Sequence, residues 1–276
     1  MEGSVRKAGN KVRITIQLVD TRSEEPLWSQ EYDRDIADVF AIQSDVAQRV
    51  AALLSVQILR AEERGLFRKA TDDTEAYTLY LKGRYFWNKR TEEGLKKAIS
   101  SFQKALLKDG SYALAHAGLS DAYASQALLE LVPPKEAFPK AKAAVLRALR
   151  IDAGLAEAHT SLGLIRFQYD RRWKDSEREF KKAIELNSNY ALAHHFYADL
   201  LKAMGRFDEA LAEIRRAQEL DPLSLAINTG VGHVLYLSRR YDDAIEQYRK
   251  TVELDPNYVQ THLWFGRPYL QKGLFR

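Results

Sequence analysis

The stretch Ala191–Pro222, ALAHHFYADLLKAMGRFDEALAEIRRAQELDP, decides the fold. It holds two helical patterns joined by a turn at Gly205-Arg206, and it recurs 34 residues later. Ala198 and Gly232, Leu201 and Leu235, Ala210 and Ala244, and Ile214 and Tyr248 stand at equal places. So do Leu220-Asp221-Pro222 and Leu254-Asp255-Pro256. Two antiparallel helices approach closely only where side chains are small, so Ala198 and Ala210 mark the crossing, while Leu201 and Ile214 fill the gaps beside it. One such hairpin cannot bury its apolar face alone, so the sequence predicts a stack.

This spacing resembles the tetratricopeptide repeat (TPR) family, which implies a mainly α, right-handed superhelical solenoid. On this register the array occupies 74–276, in units 74–112, 113–155, 156–190, 191–224, 225–258 and a truncated 259–276. The first unit keeps Ala98, Phe102 and Ala105 in its second helix. It also carries Tyr80, Tyr85, Phe86 and Trp87, an aromatic group expected to pack as core against the preceding domain. The second holds His116, Leu119, Tyr123, Ala141 and Ala148 but gains extra apolar residues over 128–134. These either prolong the first helix until Pro133-Pro134 stop it, or form a lip over the groove; Pro139 suggests where the second helix begins or is reset. The third sets Ser176 where alanine is usual and adds one turn residue beside Trp173. The sixth keeps Phe265-Gly266 and Tyr269 and stops at Arg276. That leaves Leu263, Trp264 and Phe265 expected partly bare at an uncapped end.

Residues 1–64 follow other periods. Val12, Ile14, Ile16 and Leu18 alternate with polar residues as in a half-buried strand. Gly9-Asn10 suits a hairpin turn from Ser4–Ala8, and a third run, Leu27–Tyr32, sets Trp28, Gln30 and Tyr32 on one face. A three-stranded antiparallel meander is expected, covered by a helix over about 38–63 whose stripe is Ile42, Val46, Val50 and Leu53-Leu54. This small α/β piece resembles the later half of a TolB-like domain. The resemblance covers roughly residues 2–58 and rests on Glu2-Gly3-Ser4-Val5-Arg6, Val12-Arg13-Ile14-Thr15, Leu27-Trp28, Tyr32-Asp33-Arg34 and Val39-Phe40-Ala41-Ile42-Gln43. It implies a further strand-and-helix half before Met1 and an open edge at residues 3–8, where self-association is expected. Residues 65–73 read as the junction between the domains.

Composition narrows the function. The charge of +4 is the difference between 42 basic and 38 acidic side chains, and the signs are interspersed, which argues against nucleic acid as a partner of this chain. The basic run Lys140–Arg150 has its charges at helical spacing among alanines and leucines, as a solvated helix face does. No stretch is apolar enough to predict a membrane span, and no signal peptide is read at the amino terminus. Cysteine is absent, which excludes disulfides and thiolate metal sites and fits a cytoplasmic location.

No catalytic constellation emerges. His116, His159, His194 and His262 all take the fourth place of their units, where the family favours a bulky ring. Units stack about 8 to 10 Å apart, too far for one zinc ion with ligands at about 2.0 Å, so packing is the expected role and no cofactor is predicted. Gly230-Val231-Gly232 lies within a helix and follows no strand, so it is not a phosphate loop. The chain is therefore read as non-enzymatic. By the resemblance, the first helices line a concave groove, faced by the second, fifth and ninth places: Asp121, Thr160, Leu164, Leu192, His195, Asp199, Thr229 and His233. This mixture includes acids, so a peptide or helix with basic and apolar groups is the expected ligand. The resemblance further implies a regulatory or scaffolding part of a larger bacterial signalling protein, bearing a winged-helix, kinase or cyclase effector. The alternative is a self-assembling structural protein that joins through its open sheet edge and uncapped repeat end.

Overall fold

The computed structural model describes residues 2–8, 11–19, 25–35, 42, 45, 46, 49, 50 and 70–273. The chain divides into two compact units, Met1–Tyr77 and Thr78–Arg276, a few residues beyond the junction expected at 65–73.

In the first unit β1 (Glu2–Ala8), β2 (Lys11–Val19) and β3 (Pro26–Asp35) form the expected antiparallel meander, in the order β1-β2-β3. Its register sets Val5 against Ile14, Ile14 against Tyr32, Ile16 against Gln30 and Leu18 against Trp28. The two alternating sets thus share one face, because the side-chain period of a strand is two. Val12, Leu18 and Tyr32 are buried. Arg13 lies 2.6 Å from Asp33 and 3.1 Å from Glu31. Ile42, Asp45, Val46, Arg49 and Val50 are helical; Ile42 is buried, and the Tyr32 hydroxyl donates to Asp45 Oδ2 at 2.6 Å. The rest of the helix expected over 38–63, the Gly9-Asn10 turn, most of the turn before Pro26 and residues 65–69 lie outside the described residues.

The second unit is an array of helix hairpins, the first turn of its leading helix falling before the boundary at Thr78. Its helices are α1 (Thr74–Asn88), α2 (Glu92–Lys108), α3 (Ala113–Leu128), α4 (Pro134–Ile151), α5 (Ala156–Gln168), α6 (Trp173–Leu186), α7 (Ala191–Ala203), α8 (Phe207–Leu220), α9 (Leu225–Leu237), α10 (Tyr241–Leu254) and α11 (Val259–Gln271). Each second helix buries a triplet spaced four and then three residues apart. The triplets are Ala98-Phe102-Ala105, Ala141-Val145-Ala148, Ser176-Phe180-Ala183, Ala210-Ile214-Ala217 and Ala244-Tyr248-Thr251, none of these residues more than 1% exposed. Such a stripe lies along one helix face, and stacking the hairpins joins the stripes into one core. Ser176 takes its alanine place without loss, because its hydroxyl donates to the Gly163 carbonyl at 2.7 Å.

Crossing points depend on matched sizes. A Cβ at Gly163 would lie 2.7 Å from the Phe180 ring, and one at Gly232 would lie 2.3 Å from the Tyr248 ring. The equal places of the reference unit hold Ala198 and Ile214 instead.

Between units the chain turns in one repeated way. Asp109, Asp152, Asn187 and Asp255 each accept, through side-chain oxygen, the backbone N–H two residues on, at 2.8–3.0 Å. The fourth-place residue of the next unit then reaches back six residues to the turn. His116 Nε2 meets the Gly110 carbonyl, His159 that of Ala153, His194 that of Ser188 and His262 that of Pro256, at 2.7–3.1 Å. In the fifth unit Asn228 Nδ2 does the same to Pro222 at 2.8 Å. The fourth-place histidines are therefore clasps on the turns.

The extra length is taken up by longer flanking helices, and residues 129–133 form the turn between them. α3 has 16 residues and α4 18, against 13 and 14 in α7 and α8. The second helix begins at Pro134, not near Pro139, because a proline at the first helical position has no N–H to lose. The extension packs: Phe138 stacks on Tyr169 with ring centroids 5.1 Å apart. Of the aromatic group in α1, Tyr80 lies 5.9 Å from Phe102 and 5.3 Å from Tyr112, and Trp87 is buried, so these two serve the core of the array itself. At the other end Leu263 is 59% exposed, whereas Trp264 and Phe265 are partly buried against the core.

Candidate functional site

The first helices α3, α5, α7, α9 and α11 contact one another in succession and form the inner face of the array. The coil is tight. Leu192 of the fourth unit packs against the cluster that holds Trp87, Leu119 and Ala122 of the first two units. Arg90, just past the end of α1, lies within electrostatic reach of Tyr190, His195 and Tyr258. Residues some hundred or more positions apart thus come near one another along a seam of the inner face.

The eight residues expected to line the groove lie on these first helices, and five of them, Asp121, Thr160, Leu164, His195 and Thr229, are buried. Leu192, Asp199 and His233 are half-buried. Thr160 returns its hydroxyl to the Ala156 carbonyl at 2.9 Å, Leu164 joins the core, and Thr229 meets Thr261 of α11 at 2.7 Å. The remaining polar residues belong to two linked groups.

The first group surrounds Trp87. The guanidinium of Arg90 lies 3.8 Å from the ring centroid and that of Arg84 4.4 Å. Trp87 Nε1 donates to Ser125 Oγ at 2.9 Å, and Arg90 Nη1 donates to the same oxygen at 3.3 Å. Arg84 Nη1 donates to Asp121 Oδ2 at 3.1 Å, and Ser161 Oγ donates to Asp121 Oδ1 at 2.5 Å. Burial pushes the Asp121 carboxyl above its ordinary value, against the pull of Arg84, Ser161 and Arg90. Burial likewise raises Glu157, with Arg84 again opposing. Composition and spacing point to Asp121 in this group. They do not point to Arg84, Arg90 or Ser161, which come together only through the curl of the coil.

The second group lies on α7, α9 and α11. Lys202 Nζ donates to Asp199 Oδ1 at 2.6 Å, and His195 Nε2 stands 3.7 Å from Asp199 Oδ2. Burial opposes ionisation of Asp199, yet Lys202 and His195 hold its carboxyl below the usual value. His195 is only 9% exposed, and its Nδ1 has no hydrogen-bond partner among the described residues. His233 packs on Trp264 with ring centroids 4.2 Å apart, and its Nε2 is also buried without a partner among the described residues. Burial, with Lys202 nearby, pushes the His233 pKa down to about 3. The guanidinium of Arg267 covers Trp264 at 3.9 Å. Among the described residues no group of three or more His, Asp or Glu side chains could hold a metal ion, and no helix is long and apolar enough to cross a membrane.

Residues 197–259 match the tetratricopeptide repeat family. A protein of Rhizobium meliloti (strain 1021) that carries the name adenylate cyclase 3 is 27% identical over 219 residues, which cover 76% of this chain and 30% of that protein. The transcriptional regulator HilA of Salmonella typhimurium is 26% identical over 148 residues, 54% of this chain and 27% of that protein. The chain thus spans about three tenths of the length of the curated relatives it matches. Among solved structures, a thermophilic TPR protein of Thermus thermophilus superposes with a TM-score of 0.56 at 18% identity, over 71% of this chain and 99% of that one. Human IFIT1, solved as a dimer with m7Gppp-AAAA, superposes with a TM-score of 0.61 at 18% identity, over 84% of this chain and 52% of that one. The array has the tetratricopeptide solenoid fold.

Proposed function

We propose that this chain is a non-catalytic, protein-binding module of a larger regulatory protein and that it receives a peptide on the inner face of its array. The observation that carries this reading is the pair of buried, unpartnered ring nitrogens, His195 Nδ1 and His233 Nε2. A buried polar atom without a partner is costly, and two of them on the inner face mark where a ligand's polar groups would recover that cost. The names of the partly matching relatives, a cyclase and a transcriptional regulator, support the regulatory setting. The meander of β1 to β3 supports the TolB-like reading of residues 2–58, and a cytoplasmic location accords with the absence of cysteine.

An array of immobilised peptides of varied composition, probed with the intact chain and with a His195→Ala/Asp199→Ala variant, tests the reading. Binding to a subset of peptides that the double change abolishes, while the melting temperature holds, is the expected result. Equal binding by both proteins would remove the inner face as the site.

Self-association is the second reading, favoured by the exposed Leu263 and Leu270 on α11 and by β1, an edge strand on which Val5 is exposed. Light scattering over a concentration series separates the two, since a peptide-binding module keeps one small size and an assembler grows.

A further inference from the structure

The acids that suggest a basic ligand are already occupied. Asp121 takes Arg84 and Ser161, and Asp199 takes Lys202. Arg90 is the opposite case. Of its five N–H donors, one is bonded, to the neutral Ser125 hydroxyl at 3.3 Å, and no carboxylate is in contact with it among the described residues. We infer that the seam of the array is a receptor for an acidic side chain of the partner peptide, a glutamate or aspartate carboxylate seated on the guanidinium of Arg90. The inference rests on the reading of the inner face as a peptide site and reverses the charge expected of the peptide.

Two features place the carboxylate there. The guanidinium of Arg90 is half-buried and supported at 3.8 Å on the Trp87 ring, which leaves its N–H groups for a planar acceptor. Tyr190 and Tyr258, which carry phenolic hydroxyls, also lie within electrostatic reach of Arg90. The contrast with Arg84 agrees. Burial acts to lower both guanidinium pKa values; for Arg84 the neighbouring Tyr190, Tyr80 and Asp121 overturn that effect, and for Arg90 they do not.

A basic peptide would face Arg84, Arg90, Lys202 and Arg267, with Glu157 as the one acid of the two groups lacking a direct ion pair, and Glu157 already lies near Arg84. A nucleic-acid strand carries a charge at every residue and would meet Asp121, Glu157 and Asp199 on the same face. An isolated carboxylate among apolar residues suits one free guanidinium with Leu192 and Trp264 close to the two groups.

The test uses fluorescence anisotropy of the full chain with three labelled probes. These are a ten-residue peptide of alternating glutamate and leucine with both ends blocked, its lysine and leucine counterpart, and a ten-nucleotide oligothymidylate. Blocked ends remove any contribution from a terminal carboxylate. We expect the glutamate peptide to bind, the lysine peptide to bind at least about tenfold more weakly, and Arg90→Gln to weaken the glutamate peptide by about tenfold or more. Arg90→Lys keeps the charge and loses the planar fork, so it should recover part of the affinity even if Arg90→Gln folds poorly. Lysine-peptide binding of equal strength, preferred binding of the oligothymidylate, or glutamate-peptide binding that survives Arg90→Gln with the melting temperature retained would each overturn the inference. If the lysine peptide alone binds, the inner face remains a peptide site and only the acidic partner falls; if neither peptide binds, both readings fall.

Discussion

Gly232 and Tyr248 show how one residue fixes another across a helix crossing. A methyl at position 232 would meet the Tyr248 ring at 2.3 Å, far inside contact distance, so Gly232→Ala should destabilise by about 1–3 kcal/mol. Tyr248→Ile, which recreates the pairing of Ala198 with Ile214, should restore much of that loss in the double variant, as read in a denaturant double-mutant cycle. His233 makes a prediction in pH. Its folded pKa of about 3 lies below the ordinary 6.5, so its contribution is full above about pH 6.5 and is lost as pH falls towards 3. Asp199, Lys202, His195 and Arg267 are the charges around it. Between pH 7.5 and 5 this one group should cost up to about 2 kcal/mol. His233→Phe keeps the ring against Trp264 and cannot be protonated, so its unfolding midpoint should fall less over the same range.

At the scale of elements, the turns between units carry the most regular chemistry. His194 is buried and holds the Ser188 carbonyl at 3.1 Å, so His194→Ala should cost about 1–2 kcal/mol in chemical denaturation. His194→Asn should recover part of that, because Asn228 makes the same bond in the next unit. Within units the turn after each first helix uses a left-handed residue: Arg90, Glu130, Arg171 and Arg239 at φ of 51–63°, and Gly205 and Gly273 at 75° and 68°. Glycine takes this conformation at less cost, so Arg239→Gly should raise stability by about 1 kcal/mol in thermal melts. Much of this was legible in the sequence. The buried triplets repeat visibly, and the places of Ala98, Ala141, Ser176, Ala210 and Ala244 can be read by eye. The start of α4 was not, because Pro134 and Pro139 both suit a first turn, and the choice is settled by Phe138 stacking on Tyr169. The residues that close the inner face were less legible still. Asp121 and His195 stand at recognisable places, but Arg84, Arg90 and Ser161 join them through a small rotation added at every unit, which no local pattern records.

At the scale of the array, the coil brings Leu192 of the fourth unit onto the cluster built by the first two. A linear stack holds each unit by its neighbours alone; here Leu192 adds apolar packing on the cluster of the first two units. Leu192→Ala should therefore speed amide exchange in α1 while α9 and α10 keep their protection, a pattern hydrogen-exchange mass spectrometry would resolve. Uniform change along the array, or none in α1, would deny the seam any role in holding the coil. The seam also has a kinetic consequence. Hairpins of adjacent helices close short loops and form early, but the cluster that holds Trp87 receives Leu192 only after about a hundred intervening residues are in order, so its completion is an entropically late event. On refolding, helical signal should return first and the environment of Trp87 afterwards. In its slowest step the array should behave less like a zipper than like a clasp that shuts once the necklace is strung.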